Sequence, residues 1–141
     1  MQIGKGIVLP HVFITWPNQV RIEKYCVLEK SVNFKYDGVW KPGYAIQIMD
    51  YVFIGKGYEF NISKDIIIGN YCNITAGCRF VDHDHGITSG ELIGVQLPDA
   101  QPIISGENVW PGCNVEILKG VSFGSGAVVS AGVVVKKIDF T

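Results

Sequence analysis

The chain has 141 residues, 48% hydrophobic and 18% charged, with 12 basic against 13 acidic residues and a net charge of −1. That is the size of one domain, with ample core material, and residues 1–141 are expected to form a single unit. The even spread of charge excludes the basic stripe of a nucleic-acid binder and a polybasic membrane anchor. No apolar run approaches the roughly 20 residues of a membrane helix, and the start MQIGKGIVLPH lacks the apolar core of a signal peptide. From that start a cytoplasmic protein with reduced thiols is expected, and since no CxxC joins Cys26, Cys72, Cys78 and Cys113, neither a zinc knuckle nor a thioredoxin-type pair is suggested.

Helix signals are poor, and a period of six runs through the chain instead. Hexads start at Ile22, Leu28 and Phe34. After a break at 35–47 they resume at Ile48 and Ile54. An eight-residue step then leads to Ile62, and Ile68, Ile74 and Phe80 follow. After a second break the run SGENVW, PGCNVE, ILKGVS, FGSGAV, VSAGVV restores the frame from Ser105. The fifth column holds Cys26, Val32, Val52, Ile66, Cys72 and Cys78, so three cysteines occupy slots that suit small hydrophobes. Each hexad reads as a short strand and a corner, with Gly or Asn in the second and fourth columns allowing close approach or a positive φ. About fifteen such units, three to a turn, predict a solenoid of about five turns stacked as parallel sheets.

The breaks at about 35–47 and 82–101 are expected to protrude as loops, and loops on a bland solenoid carry specificity. The second contains FVDHDHGI, with two of the three histidines of the chain. Imidazole titrates near neutrality and suits general-base work, given a partner that fixes its tautomer. In extended chain Asp82 and Asp84 point away from the side holding His83 and His85, so either acid could orient an imidazole only through a turn or through backbone. Both also suit turn capping. His11 has no companion and reads as structural or solvated. Tyr36 and Trp40, on the first break, offer flat surfaces of the kind sugars stack on, or simply pack that excursion down.

The pattern [LIV]-G-x-x-[STAV]-x in a dozen registers resembles the hexapeptide-repeat acyltransferases, over roughly residues 3 to 138. Phe80, then His85, a loop, and PIISGENVWPG at 102–112 resemble in particular the O-acetyltransferases of surface-polysaccharide biosynthesis, with galactoside and maltose acetyltransferases as relatives. The resemblance implies an all-β, left-handed parallel β-helix and a homotrimer with active sites between subunits. It also implies acetyl-CoA as co-substrate, no metal, and direct acetyl transfer to a sugar hydroxyl. The family histidine falls on His85, with His83 as the other candidate, and the orienting acid on Asp82 or on Asp65 of a neighbouring turn. Donor contacts fall on Trp110, Cys113 and Ala131, with Lys136 and Lys137 near the phosphates. Acceptor contacts fall on Asp84, Glu91, Trp40 and Tyr36. Ser105, Pro111 and Ser130 depart from the family pattern, and with the closing KKIDFT the donor contacts there are either missing or supplied by another subunit. Two other functions fit such a fold: a γ-carbonic-anhydrase-like zinc enzyme using His83, His85 and His11, and a non-catalytic scaffold.

Overall fold

The computed structural model describes residues 1–137; the last residues of KKIDFT lie outside the described part. The chain winds as a left-handed parallel β-helix with three sheets. The first sheet stacks Gln2–Ile3, Val20–Ile22, Ile46–Ile48, Ile66–Ile68, Ile103–Ser105 and Ser122–Phe123. The second follows Val27–Leu28, Phe53–Ile54 and Asn73–Ile74, and continues as Trp110–Pro111 and Val128–Val129. The third stacks Phe13–Ile14, Asn33–Tyr36, Glu59–Ile62, Arg79–Val81, Glu116–Leu118 and Val134–Val135. The first and third sheets hold six strands each, so the described chain makes six turns rather than the expected five or so. Among the described residues no helix is long and apolar enough to cross a membrane.

Strand alternation explains the core. In Val20–Ile22, Ile46–Ile48 and Ile66–Ile68 the outer two residues are buried and the middle one is not, the period-two signature of a pleated strand. Register then places like on like. Phe34, Phe60 and Phe80 pair in the third sheet, with stacked rings 5.0 Å apart at each step. This register corrects the reading of the eight-residue step. Phe60, six after Ile54, takes the hexad position; the two extra residues fall after it, at the corner 63–65. Cys26, Cys72 and Cys78 are buried in their columns, and each thiol donates to a carbonyl of the next turn (Met49, Gly106 and Gly112).

The two expected glycine columns do different work. In the second column the contact is steric: a Cβ on Gly69 would stand 2.4 Å from the Gly106 carbonyl oxygen of the next turn. In the fourth column the requirement is a positive φ, and at one corner three tyrosines meet it. Tyr25, Tyr51 and Tyr71 have φ of 58°, 58° and 61°. Ser105 replaces an aliphatic without opening a hole, because its hydroxyl donates to the Gly106 carbonyl and lies 3.5 Å from the Cys72 sulfur.

Candidate active site

The long breaks in the period fall at the corner where the third sheet hands over to the first. The segments 15–19, 37–45, 63–65, 82–102 and 119–121 therefore stack one above another. The turn 63–65 supplies the base of the site. Its three backbone N–H groups converge on one carboxylate: Ser63 N–H donates to Asp82 Oδ1 at 2.7 Å, and Lys64 and Asp65 N–H donate to Oδ2 at 2.7 and 3.0 Å. Asp82 is wholly buried, and a buried carboxylate is tolerable only with such a set of charge-assisted bonds.

Asp82 also reaches His83. Oδ1 lies 3.0 Å from Nδ1 of an imidazole that keeps 17% of its surface exposed. The contact between sequence neighbours is possible because the strand ends at Val81 and residue 82 lies outside any strand, so the alternation expected of extended chain does not hold there. Donation from Nδ1 to the carboxylate assigns the tautomer and leaves Nε2 as the basic nitrogen. His83 lines a cleft of about 210 Å³ with Val81, Asp84, Leu118, Lys119, Lys136 and Lys137.

The network continues to residues that carried no signal in the hexad frame. The Ser63 hydroxyl donates to Asp37 at 2.7 Å, and Lys35 lies 3.3 Å from the same carboxylate. Burial pushes the Asp37 carboxyl up, but the Ser63 hydroxyl, His83 and Lys35 together hold it below the usual carboxylate range. Lys119 donates to Asp84 at 2.9 Å and to Asp99 at 2.5 Å. Those bonds, Asp99 first, raise the Lys119 ammonium and lower the Asp99 carboxyl. They clasp the two strands of an antiparallel pair, His83–Asp84 with Asp99–Ala100, from which the long loop springs. A signal for Asp37 and Ser63 did exist. The first, second and third departures from the period each follow a phenylalanine of one column (Phe34, Phe60, Phe80), which places them on one edge.

The remaining expected site residues divide. His85 is exposed and, among the described residues, has no hydrogen-bond partner, unlike His83. Asp65 pairs through its side chain with Lys41 and touches Asp82 only through its backbone, so it does not reach the imidazole. Asp84 is held by Lys119. Lys136 and Lys137 share the cleft with His83, whereas Trp110, half exposed, lies in the second sheet. Cys113 and Ala131 are exposed at the corner beyond it, where Gly132 N–H donates to the Cys113 carbonyl. Trp40 is 64% exposed, but Tyr36 is buried, its hydroxyl donating to the Val39 carbonyl and its ring against Trp16. Tyr36 thus offers no stacking surface. Glu91 stands exposed in the loop, its carbonyl taken by the Gln96 amide. His11 is exposed at the second-to-third corner of the first turn. Among the described residues no group of three or more His, Cys, Asp or Glu gathers as metal ligands would.

No family model matches the sequence. The chain is 31% identical over 158 aligned positions to WbbJ of Escherichia coli K12, assigned as a lipopolysaccharide biosynthesis O-acetyl transferase, covering 96% of this chain and 78% of that one. It is 35% identical over 100 positions to a macrolide acetyltransferase of Lysinibacillus sphaericus, covering 58% of this chain and 55% of that one. Its fold superposes with a TM-score of 0.68 on an Asp-to-Asn mutant of AntD, an N-acyltransferase from Bacillus cereus, solved with dTDP and coenzyme A. That match covers 96% of this chain and 73% of that one, at 18% identity.

Proposed function

Since the chain belongs to the hexapeptide-repeat acyltransferases, we propose that it moves an acetyl group from acetyl-CoA to a sugar hydroxyl, with His83 as general base. The observation that carries this reading is the His83–Asp82 contact at the mouth of the lysine-lined cleft. Nε2 takes the proton of the acceptor hydroxyl as its oxygen attacks the thioester carbonyl. Asp82, held by three amides, keeps the ring oriented and stabilises the imidazolium that forms. The tetrahedral intermediate then collapses, the carbon–sulfur bond breaks, and the proton passes from Nε2 to the leaving thiolate. In this reading Lys136 and Lys137, which line the cleft, meet the donor phosphates as point charges. His85, first by sequence position, is left as a loop residue.

We also propose that the described β-helix is one domain acting in the cytoplasm as a homotrimer. Ile87, Leu92, Ile93, Val95 and Leu97 of the long loop are all more than half exposed, and such a patch calls for a partner. In this reading Trp110, Cys113 and Ala131 of one subunit serve the His83 cleft of another.

Release of thiol from acetyl-CoA, measured against a panel of sugars and nucleotide sugars, tests the reading. Acceptor-dependent release that disappears in His83→Ala and survives in His85→Ala is the expected result. Full activity in His83→Ala would remove the histidine from the chemistry.

A further inference from the structure

The same corner carries a second cleft, two to three turns below His83, that the chemistry above does not use. It has a volume of about 300 Å³ and is lined by Asn18, Gln19 and the run from Trp40 through Lys41 to Tyr44. Gln19 is an unusual wall residue. It is 1% exposed, its Nε2 donates to the Lys41 carbonyl at 3.0 Å, and its Oε1 has no partner among the described residues. A buried acceptor left unpaired is costly and calls for a donor. Beside it stands the Trp40 indole, 64% exposed. A Cβ on Gly43 would meet nothing within 4 Å, so the approach is open.

The charges nearby are already neutralised. Lys41 pairs with Asp65, and Arg21, over the Tyr44 ring at 5.9 Å, pairs with Glu23. A phosphate or carboxylate would find no spare cation. An uncharged ligand with an apolar face and hydroxyl groups fits better: the face lies on the indole and the hydroxyls meet the amide residues Asn18 and Gln19 of the lining. We propose that this cleft is a distal saccharide subsite, so that the acceptor is an oligosaccharide gripped at Trp40 while a hydroxyl of another residue lies at His83. This rests on the transferase reading. The spacing supports it, since two to three strand separations put the two clefts about 10–15 Å apart along the corner. Between them lie Ser63, on the intervening turn, and Asp37, at the start of the cleft's own segment 37–45, polar groups suited to sugar hydroxyls.

The test uses the purified full chain with mono-, di- and trisaccharides of galactose, N-acetylglucosamine and rhamnose, followed by saturation-transfer NMR and by acetyl transfer. The variants are Trp40→Ala, Trp40→Phe and His83→Ala. Trp40 is exposed, so its loss spares the fold, and thermal unfolding verifies that. Affinity is expected to rise with saccharide length. Trp40→Ala is expected to weaken the trisaccharide about 3- to 10-fold, with the smallest effect on the monosaccharide, and Trp40→Phe to restore most of the loss. His83→Ala should abolish transfer while trisaccharide binding keeps its dependence on Trp40. No binding across the panel, or binding indifferent to length and to Trp40, overturns the subsite. Trp40-dependent binding without transfer to any sugar would keep the subsite and defeat the transferase reading. His83-dependent transfer indifferent to Trp40 would do the reverse.

Discussion

Two corners of the same solenoid have gone opposite ways. Where the first sheet turns into the second, Tyr25, Tyr51 and Tyr71 repeat one left-handed backbone conformation. Their rings stack at 5.1 and 5.2 Å, and each N–H donates to the carbonyl one turn below. Where the third sheet turns into the first, the segments range from the short turn 63–65 to the long excursion 82–102. There Asp37, Ser63, Asp82 and His83, from three successive turns, meet in one hydrogen-bonded chain. A strict repeat can place only like beside like, which builds a wall. Unlike groups come together only where the repeat is interrupted, turn after turn, at the same edge.

If that contrast is right, the largest effects belong to the irregular corner. His83→Ala should lower acetyl transfer about 10²- to 10⁴-fold, the usual contribution of a general base, with unchanged unfolding behaviour. His85→Ala should stay within a few-fold of the native rate. Steady-state kinetics of the two variants on one acceptor would reverse the assignment if the losses were exchanged.

Asp82→Ala should damage fold and rate together. It strands the N–H groups of Ser63, Lys64 and Asp65, and removing a buried charged partner of this kind costs about 3–5 kcal/mol. Chemical denaturation reads the loss. Asp82→Asn keeps the volume but turns an N–H₂ toward donors. An Asp82→Ala variant of native stability would mean that the turn 63–65 finds other partners.

The fold was readable because periodicity is a property of the chain itself. Phe34 and Phe80 share a column, and so do Cys26 and Cys72, although the eight-residue step hid Phe60 behind Ile62. The site was less so, since Asp37, Ser63 and Lys119 have meaning only through turns adjacent in space. The histidines show where the reading stopped. Distance along the chain favoured His85, but the hydrogen bond that fixes an imidazole went to His83, because the strand ends one residue before Asp82. Nor does any sequence pattern reveal that Asp65 would face Lys41 rather than a histidine.

A middle-sized effect is expected at Lys119, the clasp of the hairpin. Lys119→Met should speed hydrogen exchange across residues 83–100 and raise KM more than it lowers kcat, because it frees the loop without touching the imidazole. Exposed ion pairs contribute little to global stability, so unfolding should barely move. The sign with pH follows from Asp99, whose folded carboxyl sits below its ordinary range. The clasp is complete above the usual carboxylate range and is lost as pH falls through that lowered value. Exchange in the hairpin that is indifferent to acid and to Lys119→Met would show that backbone pairing alone holds it.

The smallest effects belong to the regular corner, where two opposed terms can be separated at one position. Tyr51 holds φ at 58°, a conformation that costs an ordinary residue about 1–2 kcal/mol. Its ring stacks on both Tyr25 and Tyr71, and each such contact returns about 0.5–1.5 kcal/mol. Tyr51→Ala keeps the strained backbone and loses both stacks, so it should unfold about 1–3 kcal/mol more easily. Tyr51→Gly loses the same stacks but releases the strain, so it should recover about 1 kcal/mol of that loss. Acetyl transfer should be unchanged in both, since the ladder lies across the solenoid from His83. A glycine variant less stable than the alanine one would show that the corner does not impose its left-handed turn, and that the tyrosines are there for their rings alone.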